Sequence, residues 1–200
     1  MNAKQITFVL MMGALGNVFF AISSYLGPIA PGIALDFSLI AALIAGFYGG
    51  PTLGLVTGLI SGVLPGIVFG PMGSGSWLGL IGLPIGKAIS GLTAGLIAKG
   101  LNLGQRPRSS LLGIPATLLA YFPEAVFTIA YFSYLLPFFI GGILPVAVLI
   151  TILTKATGEV IIMSVIIAAL MGNKGFNDFV RAHFSVRRVT PIIVSTKTEN

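Results

Sequence analysis

From Ile6 to Leu26, and again from Pro51 to Gly70, the chain carries no charged side chain. A helix crossing the hydrocarbon core of a bilayer needs roughly 20 predominantly apolar residues, so each run has the length of a membrane span. Four further apolar runs follow the same logic: Ile33–Tyr48, Leu78–Lys99, Leu111–Leu136 and Ile143–Met171. Charged residues are 8% of the chain and hydrophobic ones 56%, whereas a soluble domain carries about 25% charge. Too little polar surface exists to face water. The expected fold is an all-α integral membrane bundle of six transmembrane helices over residues 1–172, followed by a basic tail over 173–200. Lys4, the apolar run after it and Ala21-Ile22-Ser23 also fit a secretory signal loosely. The run is longer than a signal core, and a second apolar span follows at once, which favours the span.

The cations orient the bundle. Lys4 precedes the first span. Lys99, Arg106 and Arg108 lie between the fourth and fifth, and Lys174, Arg181, Arg187, Arg188 and Lys197 follow the sixth. The loops on the other side contain no Lys or Arg. Cytoplasmic loops are enriched in these residues, so both termini are expected in the cytoplasm. In the tail, Phe176, Phe179, Val180 and Phe184 recur at helical spacing among basic residues. Two readings stand, an interfacial helix on an anionic leaflet or an unstructured tail.

The stretch GPTLGLVTGLISGVLPGIVFG places glycine at 50, 54, 58, 62, 66 and 70. An interior glycine costs a soluble helix about 1 kcal/mol, but in lipid unpaired backbone is costlier still and helicity is enforced. Small residues then let helices approach closely. The ladder forms a smooth ridge, with a counterpart in Gly79, Gly82, Gly86, Gly91 and Gly95 of the fourth span. It serves either packing between these two spans or sliding against a partner.

Asp36, Glu124, Glu159, Lys87 and Lys155 fall within spans or at their edges. Such residues are expensive in a membrane and usually face an interior or a cavity. Thr117, Tyr121, Glu124, Thr128 and Tyr131 share one face of the fifth span by their 4-3-4-3 spacing. Lys87 lies on the face of the fourth span that begins at Trp77, and Thr151, Lys155 and Glu159 line one face of the sixth. The candidate substrate-binding residues are therefore Trp77, Lys87, Tyr121, Glu124, Thr128, Tyr131, Thr151 and Lys155, lining a cavity that opens outward past Trp77 and Tyr131. The competing reading makes Lys87–Glu124 and Lys155–Glu159 buried structural pairs, which are weak stabilisers. Glu159 fits that structural role best. Asp36 either caps a helix or joins the site, and Trp77 is an interfacial anchor or stacks on a ligand.

No motif of catalysis or nucleotide binding is present. GLPIGKA at 82–88 lacks the glycine spacing and the Ser/Thr of a phosphate-binding loop. There is no Cys, and the single His183 stands in the tail, so neither a metal nor a cofactor is expected. The chain is read as a non-catalytic binding or transport protein. A stand-alone carrier using Glu124 or Glu159 for proton coupling is the alternative to one energised by other subunits.

The order of features resembles the substrate-binding membrane subunits, or S components, of energy-coupling factor (ECF) transporters. The residues that carry the resemblance are GALGNVFFAIS (13–23), the uncharged loop LGPIAPG (26–32) and LDFSLIAALIAGFYGGPTLGLVTGLISG (35–62), within six spans. The resemblance implies an S-component bundle in a prokaryotic plasma membrane that captures a vitamin or related micronutrient from outside. It implies as partners a transmembrane coupling subunit and two cytoplasmic ATPases, which hydrolyse the ATP. The family's small-residue pattern on span one, where it contacts the coupling subunit, falls here on Gly13, Asn17 and Ala21. The two lysines suit a carboxylate or phosphate, and Glu124 with the tyrosines suits a cationic or hydrogen-bonding ring, so a carboxylated or zwitterionic substrate is the expectation.

Overall fold

The computed structural model describes residues 1–26, 28–30, 33–73, 76–103, 109–141 and 145–184. The architecture is helical, and five helices or helix pairs are long and apolar enough to cross a membrane. They are α1 (Ala3–Tyr25), the pair α3 (Pro51–Ser61) and α4 (Val63–Phe69), α5 (Ser76–Leu101), the run from α6 (Ser109–Ala130) toward α7 (Leu136–Ile140), and α8 (Val146–Gly172). A π-helical turn, Tyr131–Leu135, joins α6 to α7. A short helix, α9 (Lys174–Phe184), follows α8. Asn2 caps α1, accepting the Gln5 N–H while the Gln5 side chain accepts the Asn2 N–H.

The second expected span is only partly a helix. Residues 28–30 and 33–34 pair as a short antiparallel ribbon, β1 and β2, and residues 35–38 are neither helix nor strand. Helix α2 occupies Leu39–Gly49 alone. At 1.5 Å per residue it spans about 16 Å, too little for a bilayer core. It compensates by position, since every residue from Leu39 to Phe47 is buried and α2 forms the centre of the main apolar core. The continuous helix expected from Ile33 onward does not form. The run is apolar apart from Asp36 and Ser38, so periodicity does not mark where the helix begins.

The glycine ladder is consumed inside the bundle. A Cβ at Gly54 would meet the backbone of Gly91, at Gly58 the backbone of Lys87 and Ala88, and at Gly62 the backbone of Pro84. The partner's number falls as the ladder's rises, so α3–α4 and α5 run antiparallel with their backbones in contact. This is the most extensive helix contact of the structure. Gly46 of α2 enters the same point, because its Cβ would also strike Gly91. The glycines of α5 divide between two partners. Gly91 and Gly95 face α2 and α3, whereas Gly82 and Gly86 face Tyr131 and Glu124. Spacing alone groups them as one ridge.

The third expected span breaks at Gly62, and Asn17 of α1 fills the break. Its Nδ2 donates to the Ile60 carbonyl at 2.9 Å, and its Oδ1 accepts from the Leu64 N–H at 3.0 Å. Those two backbone groups are four residues apart and would pair with each other in an unbroken helix. A side-chain amide inserted into the ladder is a recognised cause of bending. Asn17→Ala leaves both groups unpaired and is expected to lower stability by about 1–3 kcal/mol. Asn17→Asp is expected not to restore it, since a carboxylate cannot donate to Ile60. Thermal unfolding of the purified variants in detergent reads both.

Gly13 packs under Ile60, while Ala21 lies exposed. Of the three residues that the resemblance assigns to subunit contact, Gly13 and Asn17 therefore face α3 and α4.

Helix α9 docks on the bundle. Val180 is buried with Phe8 and Ala45, and Phe176 packs edge-on against Tyr48. The Tyr48 hydroxyl donates to Asn177 Oδ1 at 2.6 Å, while Phe179 stays exposed. The tail begins as a helix bound to protein on one face. Arg106, Arg108, Arg187, Arg188 and Lys197, used above for orientation, lie outside the described residues.

Candidate functional site

The polar interior is organised around the bend that precedes α2. Asp36 and Ser38 are two residues apart, the spacing at which a carboxylate folds back on its own backbone. Asp36 Oδ1 accepts the Ser38 N–H at 2.9 Å and its hydroxyl at 2.6 Å. That turn stops α2 from extending toward its N-terminus. Non-helical backbone inside a membrane protein needs partners from the protein itself, and they are present. Ser23 Oγ donates to the Leu35 carbonyl at 3.0 Å, and the Asp36 N–H donates to Glu159 Oε1 at 2.5 Å.

Two ion pairs meet at this bend. Lys87 Nζ of α5 contacts Asp36 Oδ2 at 2.7 Å, with both side chains almost wholly buried. Lys155 of α8 pairs with Glu159 at 3.2 Å, one helical turn apart. The Asp36 peptide thus links the pairs into one chain, Lys87–Asp36–Glu159–Lys155, crossing from α5 to α8. The Lys87–Glu124 pair of the competing reading does not form, because Asp36 takes the ammonium. The Lys155–Glu159 pair does form.

Glu124 lies on the neighbouring seam between α5 and α6. The Ser90 hydroxyl donates to Glu124 Oε2 at 2.5 Å, and the carboxylate packs along Gly86. Thr93, one turn beyond Ser90, donates to the Ala120 carbonyl and holds the helices together. Tyr121 lies within electrostatic reach of both Glu124 and Glu159. One turn of α5 from Gly86, the Tyr131 ring rests over Gly82. Tyr131 is only 6% exposed, and its hydroxyl has no hydrogen-bond partner among the described residues. The hydroxyls of Thr57 and Thr117 are likewise buried and unpaired there. Buried polar groups are ordinarily satisfied, so these three hydroxyls are hydrogen-bonding capacity that the described residues do not use.

The structure thus brings together Lys87, Tyr121, Glu124 and Lys155, with Tyr131 at the edge of the group and Thr128 half-buried on the same helix. It does not bring in Trp77 or Thr151. Trp77 is 71% exposed, the placement of an interfacial anchor. Thr151 is exposed and donates back to the Ala147 carbonyl of its own helix. The mouth expected between Trp77 and Tyr131 is therefore not lined by Trp77. Lys155, 14% exposed at its side chain, is the more accessible lysine, and its ammonium lies 5.9 Å from the centre of the Phe69 ring at the end of α4.

Sequence reasoning misses Ser38, Ser90, Gly82, Gly86 and Phe69 as members of the site. The Asp-Phe-Ser triplet at 36–38 carries a local signal for the turn. The others have none, since Ser90 and the two glycines matter only once α6 is seated against α5. Comparison with protein-family models, curated proteins and solved structures returns no match.

Proposed function

We propose that this chain is the substrate-capturing membrane subunit of an ECF-type transporter, importing a vitamin or related micronutrient into a prokaryotic cell across its plasma membrane. The observation that carries the reading is the charged chain Lys87–Asp36–Glu159–Lys155 built on interrupted backbone at the start of α2. Broken helices with polar groups at membrane depth are how solute-binding membrane proteins assemble a site, and intramembrane charges mark substrate pathways.

Six crossings with both ends in the cytoplasm are part of the proposal. In support, the start of α1 packs against α9 near the end of α2. The start of α3 meets α5 at Gly95, close to Lys99, and the start of α6 meets α8 at Gly172. Each named terminus falls at one end of the bundle, as an even number of crossings requires. The second crossing then combines Leu35–Ser38 with α2. Coupling to a partner subunit through α1 falls on its exposed face, at Ala14, Val18 and Ala21, since Gly13 and Asn17 are engaged internally. ATP hydrolysis belongs to the partner subunits, and this chain itself binds without catalysing.

The experiment is mass spectrometry of small molecules released from the purified, denatured chain, paired with uptake into vesicles. A stoichiometric organic micronutrient, and uptake only when the coupling subunit and ATPases are present, is the expected result. Uptake by the chain alone, abolished by Glu124→Gln, would replace the reading with a proton-coupled carrier.

A further inference from the structure

The interior charges do not balance. Among the described residues of the site, Asp36 is matched by Lys87 and Glu159 by Lys155, each at salt-bridge distance. Glu124 has no cation of its own among them. Lys87 acts on it from further away, but its ammonium is bound to Asp36, and the direct contact is the neutral Ser90 hydroxyl. An ionised Glu124 leaves the site one positive charge short. In a medium of low dielectric, that shortfall selects strongly for a ligand that supplies it.

The surroundings say what form that charge takes. Tyr121, Phe127 and Tyr131 stand three before, three after and seven after Glu124 along α6 and the turn that continues it, so all lie on or near its face of the helix. Phe127 and Tyr131 are in ring contact at 6.1 Å, and Tyr131 meets Phe132 edge-to-face at 5.0 Å. A carboxylate flanked by aromatic faces is the chemistry that recognises organic ammonium or other ring-borne cations. The Tyr131 hydroxyl, buried without a described partner in the same α5–α6 seam, supplies an unspent polar contact. The lysines, by contrast, are each neutralised by a carboxylate. The lysines alone therefore give no argument for a carboxylate, and of the two expected substrate types the zwitterionic one carries the cation that Glu124 needs.

We infer that the seam between α5 and α6 is a cation subsite, in which Glu124 neutralises a positively charged organic group seated against the aromatic rings of α6. The inference rests on the binding-subunit reading and gives its substrate a charge.

The test is calorimetric titration of the purified full-length chain in detergent with phenyltrimethylammonium, whose charge is permanent, and with benzoate. Saturable binding of phenyltrimethylammonium and none of benzoate is expected. Glu124→Gln, which keeps an acceptor for Ser90, should weaken the cation at least about tenfold. Tyr131→Leu should weaken it about threefold or more by removing the ring. Failure of the wild-type chain to bind phenyltrimethylammonium overturns the inference and leaves a proton as the counter-charge of Glu124. Tighter binding of benzoate overturns it also, as does unchanged affinity in a folded Glu124→Gln variant. Should Glu124→Gln not fold, the wild-type comparison of the two probes decides. Transport of an anionic micronutrient with the ATPases would sink this subsite alone, while cation binding without ATPase-dependent uptake would sink only the proposed function.

Discussion

Gly54→Leu is expected to yield no folded monomer, while Gly100→Ala and Gly158→Ala in the same protein hold or raise its melting temperature. All three glycines are helical, so propensity alone would favour each substitution. They differ in what a side chain would meet. At Gly54 the first added carbon strikes the backbone of Gly91 and comes within 2.7 Å of the Gly46 Cα, whereas Gly100 and Gly158 have nothing within 4 Å. Backbone cannot rotate away as a side chain can, so α3 must separate from α5 along the length of their contact. The smaller Gly54→Ala change is expected to cost about 1–3 kcal/mol, the usual range for overpacking. Thermal unfolding and size-exclusion behaviour in mild detergent read all four variants. Wild-type stability of Gly54→Leu would mean that the ladder serves an external partner instead.

The second large effect lies at the bend before α2. Lys87→Met should lower stability by about 3–5 kcal/mol, because it leaves the buried Asp36 carboxylate without its cation. Asp36→Asn should be comparably harmful for the converse reason. Combining Lys87→Met with Asp36→Asn should recover at least about half of the loss, since replacing both members of a buried pair is often near neutral. The amide oxygen that Asp36→Asn introduces can still accept from Ser38. A double-mutant cycle in unfolding free energy isolates the coupling, and additive losses would show that the 2.7 Å contact contributes nothing specific. The cycle also separates stability from recognition. A double variant that folds yet loses solute would assign the pair to binding as well.

The ladder's spacing of four announces close helix packing, and the structure supplies the partner. The stripe Tyr121–Glu124–Tyr131 is likewise visible as a face. Glu124's environment is not, because Lys87 has two carboxylates to choose between and only the path of residues 35–38 brings Asp36 to it. The family resemblance assigns Asn17 to a docking face, whereas in the structure it turns inward to bridge the break at Gly62. Hydrophobic periodicity normally separates the two faces of a helix, but α1 is apolar all round and offers no such contrast.

Membrane character, most of the stretches that become helix and the smooth glycine ridges that permit close packing follow from the order of residues alone. Those properties are set residue by residue, through the cost of unpaired backbone in lipid and the missing volume of glycine. Three other features emerge only once the helices are assembled: which acid meets Lys87, where the second span gives up its helix, and which carboxylate is left over. The pairing of Lys87 is a competition among groups distant in sequence, with Asp36 before α2, Lys87 on α5 and Glu124 on α6. Its outcome depends on distances of a few ångströms that no local spacing encodes.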